Sequence, residues 1–265
     1  MFHSTAALEA GSRQGATSAY CGNAVALCRC LGKLKLFVDP NDVSLAPHLM
    51  LDGYWESWVT LAVMRHVKPD MVCVDVGANV GYFSMLMAHL GARKVLAVEP
   101  QADLARLIVK SASVNGFSER VTVFSGAASD HRGPLLLLPA PGNNRGSTQV
   151  VRELEPLVRH DMISGERLDV LLPSETVHFV KMDCEGYEPE VWDGMAKVLE
   201  RCSPVICMEF ASVFYADGGD ALLARIRGAG YAVALVGLDG SIVPSPTDEQ
   251  LKVGHHMLWL TRASV

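Results

Sequence analysis

Apolar runs and apolar stripes alternate along the middle of the chain. The run MVCVDV at 71–76 is continuous and rich in β-branched residues, which is typical of a strand buried on both faces. Similar runs at 94–99 and 120–125 predict two further strands, and stripes at helical spacing in 82–91 and 103–116 predict the helices between them. This order implies parallel strands that are joined by right-handed crossovers.

The same alternation continues towards the end of the chain. A helical stripe, YWESWVTLAVMRHV, also precedes Pro69. We therefore predict an α/β fold: a Rossmann-like, doubly wound, mostly parallel seven-stranded sheet with helices on both faces, whose sites lie off the carboxyl ends of the strands. The later strands and helices are predicted in turn at 177–183, 189–200, 204–210, 219–229, 231–237 and 255–260.

Two segments depart from this rhythm. Residues 126–176 contain the turn-rich sequence GNNRGS, which predicts a hairpin or a long loop, and such an insertion is expected near the substrate site. Residues 1–45 are expected to form an N-terminal extension, either a loosely docked leader or a partly ordered cap. A lid and a dimer arm also remain open for this extension, so a homo-oligomer is possible. Residues 46–265 are expected to form the main domain.

The composition narrows the classes of function. The chain has 265 residues, 49% of them hydrophobic, and a mean hydropathy of +0.21, which allows a sizeable core. A net charge of −6 without a basic stripe argues against a nucleic-acid partner. No apolar run reaches the roughly 18 residues of a membrane span, so no membrane partner is expected. The seven cysteines include no C-x-x-C pair, which disfavours a zinc cage and indicates a reducing, cytoplasmic compartment with Cys73 and Cys207 as buried thiols.

A glycine turn, GANVG at 77–81, follows the first of these strands. It lacks the middle glycine of G-x-G-x-x-G, where a pyrophosphate needs close backbone approach, so the spacing disfavours a nicotinamide dinucleotide. S-adenosylmethionine (SAM) carries no phosphate and fits this turn better. Asp75 at the first strand end would favour its cationic amino-acid end. Glu99 at the next strand end would accept its ribose hydroxyls, as an acid does there for NAD.

The next strand ends in SGAASD at 125–130. These small residues leave a flat slot for a purine, and Ser129 or Asp130 could meet the edge of the base. A cofactor site would then lie along three adjacent strand ends.

The stretch KMDCEGYEPE at 181–190 places four acids where a core strand ends. Pro189 fits the first turn of a helix, so Glu190 and in part Glu188 have an ordinary electrostatic reason to be there. Asp183 and Glu185 precede that helix, and we expect them to position the acceptor or to remove its proton. Lys181 alternates with Asp183 and is expected to pair with a carboxylate, lowering the pKa of that acid.

The same acids could also bind a metal. Mg²⁺ is usually held by one or two carboxylates and water, and Asp183 with Glu185 or Glu209 could supply them. Nothing in the spacing requires a metal, so we predict no metal ligands.

Four stretches resemble the FkbM family of SAM-dependent methyltransferases. They are YWE at 54–56, VCVDVGANVGYFS at 72–84, VLAVEPQ at 95–101 and FVKMDCEGYEPEVWDGM at 179–195, with PVICMEF at 204–210 similar to the next strand of the family. The resemblance covers roughly residues 50–260. It implies the class I methyltransferase fold for residues 46–265, SAM as the cofactor and mostly O-methylation of sugars and natural-product hydroxyls.

The residues and the resemblance together assign roles to individual positions. We expect catalysis from Asp183, Glu185 and His256. We expect the cofactor at Glu56, Asp75, Gly77, Asn79, Gly81, Glu99, Pro100, Ala127, Ser129 and Asp130. We expect the substrate at Tyr54, Trp55, Asn143, Arg145, Ser147, Tyr187 and Glu188.

The predicted function is SAM-dependent O-methylation of a small hydroxylated molecule, such as a sugar or a secondary metabolite in natural-product biosynthesis. N-methylation of a small molecule is the main alternative. A nicotinamide-dependent oxidoreductase and a non-catalytic SAM-binding module are the others.

Overall fold

The computed structural model describes residues 2–152 and 161–262. Its α-helices are, in chain order, α1 Thr5–Gly15, α2 Leu45–Leu51, α3 Ser57–His66, α4 Tyr82–His89, α5 Ala102–Val114, α6 Leu168–Leu171, α7 Glu188–Gly194, α8 Ala196–Cys202, α9 Asp220–Gly228 and α10 Asp248–Leu251. Its strands are β1 Thr17–Gly22, β2 Val25–Cys30, β3 Leu34–Val38, β4 Val72–Val76, β5 Lys94–Glu99, β6 Val121–Ser125, β7 Ala127–Ala128, β8 Gly133–Leu138, β9 Gln149–Val151, β10 Asp161–Glu166, β11 Phe179–Met182, β12 Val205–Ala211, β13 Ala232–Val236, β14 Ile242–Pro244 and β15 His255–Thr261.

The main sheet has the order β14-β13-β15-β12-β11-β4-β5-β6 within the described residues. The five strands from β12 to β6 pair in parallel, and β15, β13 and β14 pair antiparallel at the other edge. The predicted doubly wound α/β fold is therefore confirmed. The sheet has eight strands instead of the predicted seven, because β14 adds at the edge. Its three residues are all exposed and produce no apolar run.

Each buried strand contributes to two separate cores. Cys73 of β4 belongs to the core beneath α3, α4 and α5, whereas Val74 belongs to the core beneath α7, α8 and α9. Phe179 and Val180 of β11 divide in the same way, because successive side chains of a strand point to opposite faces. Helices thus cover both faces, as predicted. No described helix has the length and apolar content needed to cross a membrane.

The N-terminal extension is built into the first core. β1, β2 and β3 form a separate antiparallel sheet, and Leu8 of α1 and Leu36 of β3 are fully buried. Two hydrogen bonds fasten β3 to α5. The backbone N–H of Lys35 donates to Oδ1 of Asn115, which directly follows α5, at 3.0 Å, and the backbone N–H of Phe37 donates to Ser111 Oγ at 2.9 Å. The expectation of a loosely docked leader is therefore wrong. β1 has no buried side chain, and alanine and cysteine fill the buried side of β2, so these two strands lack a strong apolar pattern. β3 does alternate, but it is only five residues long.

The 126–176 insertion forms a third sheet of order β7-β10-β8-β9, and part of it, residues 153–160, lies outside the described residues. β8 and β9 pair antiparallel, which confirms the hairpin. The helix predicted over 189–200 is two helices, α7 and α8, which meet at Met195. Gly194 at the end of α7 lies directly on the carbonyl of Ser129, where no side chain would fit.

Candidate active site

A cavity of about 280 Å³ lies beyond the carboxyl ends of β4, β5 and β11, where a doubly wound fold places its sites. The turn after β4 forms one wall, and the segment between β8 and β9 folds across another. Its size is close to the lower end for small-molecule sites. The predicted site residues that line it are Trp55, Gly77, Asn79, Glu99, Pro100, Ala127, Arg145, Ser147, Asp183, Glu185 and Tyr187.

The turn from β4 to α4 owes its shape to glycine. Gly77 has a φ of +73°, and a Cβ at this residue would overlap the carbonyl oxygen of Asp183. The N–H groups of Gly77 and Ala78 both donate to the carbonyl of Val98 at 3.0 Å. Gly81 begins α4 with a φ of +83° and faces Ile108, so it does not line the cavity. Both glycines thus serve the packing of the chain at this strand end.

Glu99 sits at the end of β5 as the sequence predicted. Its Oε2 accepts the N–H of Asn79 at 2.7 Å, and its Oε1 accepts the N–H of Gln101 at 2.8 Å. Burial raises the pKa of Glu99 to about 8, although these two N–H donors oppose the shift. A carboxylate oxygen has two lone pairs, so each can accept one more hydrogen bond from the cavity.

These groups suit the SAM that the resemblance implies. Glu99 offers acceptors for a pair of hydroxyls, and the buried Oδ1 of Asn79 has no hydrogen-bond partner among the described residues. Asn79 is held at a φ of +51°, a conformation that asparagine tolerates better than most residues. Unsatisfied acceptors that line a cavity fit a ligand rich in hydroxyl and amino donors.

A buried lysine pairs with the acid that directly follows β11. Lys181 Nζ lies 2.8 Å from Asp183 Oδ2 and 5.0 Å from the centre of the Phe83 ring. Burial acts to lower the pKa of Lys181, but the carboxylates of Asp183, Asp75 and Glu56 hold it well above its usual range. Burial also acts to raise the pKa of Asp183, but Lys181 holds it below its usual value. The predicted pairing of Lys181 with a carboxylate is confirmed.

Asp75 lies behind the cavity wall rather than on it. It is opposite Lys181 in the register of β4 and β11, and its Oδ2 accepts the hydroxyl of Ser84 at 2.6 Å. Only 1% of its surface is exposed, and burial raises its pKa. Its nearest role in the structure is to share the charge of Lys181.

Glu185 is the acid best placed to meet a ligand. It lines the cavity, and its carboxyl oxygen belongs to a group with those of Asp183 and Glu209 that lie within 4.8 Å of one another. Burial, then the charges of Asp183 and Glu188, raise the pKa of Glu185 to about 7. Its φ of +54° is unusual for a glutamate, and such strain tends to occur at functional sites. The three carboxylates are also ligands of the kind that Mg²⁺ takes.

Glu188 does not reach the cavity. Its Oε1 accepts the N–H of Cys184 at 2.8 Å, and its Oε2 accepts the hydroxyl of Tyr215 at 2.8 Å. Burial raises its pKa to about 6. Glu188 therefore closes the loop that presents Glu185, and the substrate contact expected from the sequence is not made. Glu190 lies in the first turn of α7, 3.8 Å from Arg152.

Arg145 fastens the insertion over the cavity. Its guanidinium pairs with Asp103 of α5, lies 3.3 Å from Asp39 and donates to Gln101 Oε1 at 3.1 Å. Its backbone N–H donates to Asp42 at 3.1 Å. Because two carboxylates already neutralise its charge, Arg145 suits a positioning role better than the substrate contact that we expected.

Other predicted residues lie around the cavity without lining it. Tyr54 is held by Arg13, whose Nη2 donates to the phenol oxygen at 2.5 Å. Ser129 is fully buried and hydrogen-bonds to the Tyr187 hydroxyl at 3.1 Å. Asp130 pairs with Arg152 at 2.7 Å, and despite partial burial the hydrogen bonds around it hold its pKa well below the usual range. Asn143 is exposed, and neither it, Ser129 nor Asp130 lines the cavity.

Glu56 and His256 line a second cavity of about 300 Å³ beside Glu209. The cofactor role expected for Glu56 and the catalytic role expected for His256 are therefore not placed on the first cavity.

Several lining residues were not among the predicted ones. Gln101 follows Glu99 by two positions and could have been found from that spacing. Ser44 comes from the N-terminal extension, which carried no recognisable motif. The others are Leu45, Val76, Ala78, Tyr82, Phe83, Val98, Gly146, Thr148, Val150, Lys181 and Cys184. Ala128 and Asn144 also line the cavity, and they belong to the predicted purine slot and to the predicted tip of the insertion.

The chain is similar in sequence and in structure to several methyltransferases. The chain is 40% identical over 74 residues to protein arginine N-methyltransferase 1.1 of Arabidopsis thaliana, which is 27% of this chain and 17% of that protein. A methyltransferase FkbM structure from Methylobacillus flagellatus KT matches 72% of this chain and 43% of its own with a TM-score of 0.48 and 16% identity. The M. jannaschii tRNA m1G37 methyltransferase matches 93% of this chain and 57% of its own with a TM-score of 0.47 and 15% identity. The chain spans less than a fifth of the curated relatives that it matches.

A family model gives the broadest sequence match. The model of the methyltransferase FkbM domain matches residues 75–233, which is more than half of the chain. The matched segment contains Glu99 and the whole 181–190 stretch, and the family implies SAM as the methyl donor. The chain belongs to the FkbM methyltransferase family.

Proposed function

We propose that this methyltransferase uses SAM to methylate a hydroxyl group of a small molecule, such as a sugar or a secondary metabolite. One observation carries the proposal: Glu185 lines the cavity at the end of β11 with a pKa of about 7. A general base is most effective when its pKa is close to the working pH. An alcohol acceptor needs such a base, because its hydroxyl group loses a proton when the oxygen is methylated.

In this proposal the first cavity holds the cofactor. Glu99 accepts the ribose hydroxyls, and Asn79 offers the buried Oδ1 that lacks a partner. Trp55 provides an aromatic wall. When bound, SAM would supply an electrophilic methyl group and a thioether leaving group that keeps the electron pair of the broken carbon–sulfur bond. The protein then needs mainly to align the acceptor and to handle one proton.

Glu185 accepts the proton that the acceptor hydroxyl loses. Asp183 stays ionised because Lys181 neutralises it at 2.8 Å, and its charge in turn raises the pKa of Glu185. Lys181 and Asp183 thus keep one carboxylate charged and a neighbouring one ready to titrate near neutral pH.

Two alternative enzyme functions are a nicotinamide-dependent oxidoreductase and an N-methyltransferase. The altered glycine spacing at 77–81 disfavours a nicotinamide dinucleotide. The arginine N-methyltransferases share a stretch of 74 residues with this chain, which is 27% of its length. N-methylation is accordingly an outcome that the experiment distinguishes.

The test has a binding arm and a turnover arm. Isothermal titration with S-adenosylhomocysteine should show binding to the full chain, whereas NAD and NADP should show none. Hydroxylated and amino acceptors are then screened with methyl-labelled SAM. With the acceptor that is found, Glu185→Gln should lower turnover by about 10² or more at an unchanged cofactor affinity.

Glu190→Gln is the matched control, because Glu190 lies in the same stretch but off the cavity. It should retain turnover within about twofold, as expected of a helix-start acid. Wild-type turnover in Glu185→Gln would overturn the base assignment, and absence of cofactor binding would overturn the function. A methylated nitrogen in the product would favour the N-methyltransferase alternative.

A further inference from the structure

The second cavity is lined by apolar residues and by two half-buried acids, which cofactor binding in the first cavity does not explain. We infer that it binds the methyl acceptor, and that it selects an acceptor that carries, besides the hydroxyl group to be methylated, a positively charged amino group on a compact apolar body. The identification of this ligand as the methyl acceptor rests on the proposed function. The preference for a cation rests on the cavity alone.

The second cavity adjoins the first through one acid. Glu209 of β12 lines the second cavity, and its carboxyl group lies within 4.8 Å of those of Asp183 and Glu185, which line the first. The pairing of β12 with β15 places Glu209 opposite Met257 and Phe210 opposite His256. A ligand in the second cavity would therefore lie next to the proposed base.

The walls of the second cavity are mostly apolar. Its polar lining consists of two glutamates and two histidines, and no lysine or arginine is among the described residues that line it. The apolar lining comes from α3 and from the strands and turn at the sheet edge: Trp58, Leu235, Val236, Leu238, Val243 and Met257.

Three lining residues carry buried polar atoms without a partner. They are Glu56 Oε2, Glu209 Oε2 and His256 Nε2, each without a hydrogen bond among the described residues. An unpaired buried carboxylate oxygen is costly, so such atoms imply a partner that the protein itself does not provide. Carboxylates accept hydrogen bonds and attract positive charge, which points to an ammonium group. The charge of this group would take the place of the proton that Glu209 keeps in the free protein, because the pKa of Glu209 is raised.

The charges of neighbouring residues do not remove this requirement. Lys181 is committed to Asp183 at 2.8 Å, and His255 approaches Glu209 only at 3.6 Å from the exposed side. Burial and then the charge of Asp183 raise the pKa of Glu56 to about 7, although the charge of Lys181 opposes this shift. Glu56 is also held at a φ of 38°, a strained conformation that fixes its direction.

The experiment uses two probes of matched shape, cyclohexylamine, which is protonated at neutral pH, and cyclohexanol. Binding to the full-length protein is followed by NMR through the indole N–H signals of the four tryptophans. Trp58 lines the second cavity, Trp55 lines the first, and the spectra of Trp55→Phe and Trp58→Phe assign their signals. Trp192 lines neither cavity and reports on the integrity of the fold.

The Trp58 signal should move with cyclohexylamine at a concentration at least about tenfold lower than with cyclohexanol, since a buried charge-assisted bond has that size. Glu209→Gln should remove most of this preference, and Glu119→Gln, an exposed acid, should keep it. Leu238→Lys should also weaken cyclohexylamine binding. Leu238 is 80% exposed, so the fold should tolerate this change even if it does not tolerate Glu209→Gln.

Two results would overturn the inference: equal binding of the two probes, or a cyclohexylamine response that the Glu209→Gln and Leu238→Lys variants both retain. Titration with S-adenosylhomocysteine in the same samples should move the Trp55 signal. If it does not while the Trp58 response to cyclohexylamine persists, the proposed function fails and the cation preference stands.

Discussion

Gly77 lies directly against the backbone carbonyl of Asp183, with no room for a side chain between them. Gly77 directly follows β4 and begins the turn at 77–81. Asp183 directly follows β11, the neighbouring strand, and begins the stretch of acids. The contact therefore fixes the separation between the groups expected to hold the cofactor and those expected to act on the acceptor.

Gly77→Ala should destabilise the protein and weaken binding of S-adenosylhomocysteine. A φ of +73° costs alanine about 1 kcal/mol or more, and the overlap with Asp183 adds about 1–3 kcal/mol. Urea unfolding and isothermal titration measure the two effects. Gly116→Ala is the control, because Gly116 has a φ of +74° with nothing within 4 Å of an added Cβ. Equal losses of stability in the two variants would show that the Asp183 contact is unimportant.

Lys181→Met should cost about 3–5 kcal/mol of stability, since it leaves Asp183 and Asp75 as buried charges without a counter-charge. The loss should be larger at about pH 8 than at about pH 5, because protonation neutralises the acids at the lower pH. Chemical unfolding at both pH values measures it. Lys94→Met removes the partially exposed pair with Glu175 and should cost at most about 1 kcal/mol. A Lys181→Met variant as stable as Lys94→Met would contradict a central role for this lysine.

The sequence predicted those parts of the fold whose signals lie within a single segment of the chain. β5 matches the prediction residue for residue, because Lys94 to Glu99 is one buried β-rich run with a turn on either side. The pairing of Lys181 with Asp183 also followed from the alternation of side chains along a strand. The cavity wall from Gly77 to Glu99 could be predicted for the same reason.

The second cavity could not be predicted in this way. It joins Glu56, Glu209 and His256, which come from three distant segments and share no spacing. Their meeting depends on the antiparallel register of β12 and β15, and periodicity within one segment does not reveal which strands pair. The ion pairs of Arg145 could not be predicted either, because its partners Asp39 and Asp103 lie far away in the chain.

Glu99→Ala should weaken S-adenosylhomocysteine binding by about tenfold or more while leaving turnover at saturating SAM less affected. The ribose hydroxyls would lose their hydrogen-bond partner, and each such hydrogen bond contributes about 0.5–1.5 kcal/mol. Isothermal titration measures the affinity, and circular dichroism checks that the fold survives. Glu119→Ala, on the exposed surface, should bind as the wild type does. Unchanged affinity in Glu99→Ala would remove Glu99 from the cofactor site.

Arg145→Met should free the segment between β8 and β9 from α5 and from the N-terminal extension. Hydrogen exchange at residues 142–148 should become faster, and the affinity for S-adenosylhomocysteine should fall, because this segment covers the cavity. Mass spectrometry of exchanged peptides measures the first effect. Arg227→Met removes a surface pair with Asp248 and should change neither quantity. Slow exchange in Arg145→Met would show that other contacts hold the segment.

Glu209→Gln should make the stability of the protein less sensitive to alkaline pH. Burial and then the charges of Asp183 and Glu185 raise the pKa of Glu209 well above its ordinary value of 4.5. Between pH 4.5 and this raised pKa, Glu209 keeps a proton in the folded state that it has lost in the unfolded chain. The contribution of Glu209 to the free energy of unfolding is therefore complete below pH 4.5 and is lost as the pH rises through the folded pKa.

Urea unfolding over about pH 6 to 9 tests this linkage, since one proton corresponds to at most about 1.4 kcal/mol per pH unit. The free energy of unfolding of the wild type should fall with pH, and the fall should be shallower in Glu209→Gln by up to that slope. Glu119→Gln, whose carboxyl is exposed, should follow the wild type. A Glu209→Gln curve parallel to the wild-type curve would mean that Glu209 is ionised in the folded protein. The acids at the end of β11 would then need a counter-charge other than Lys181.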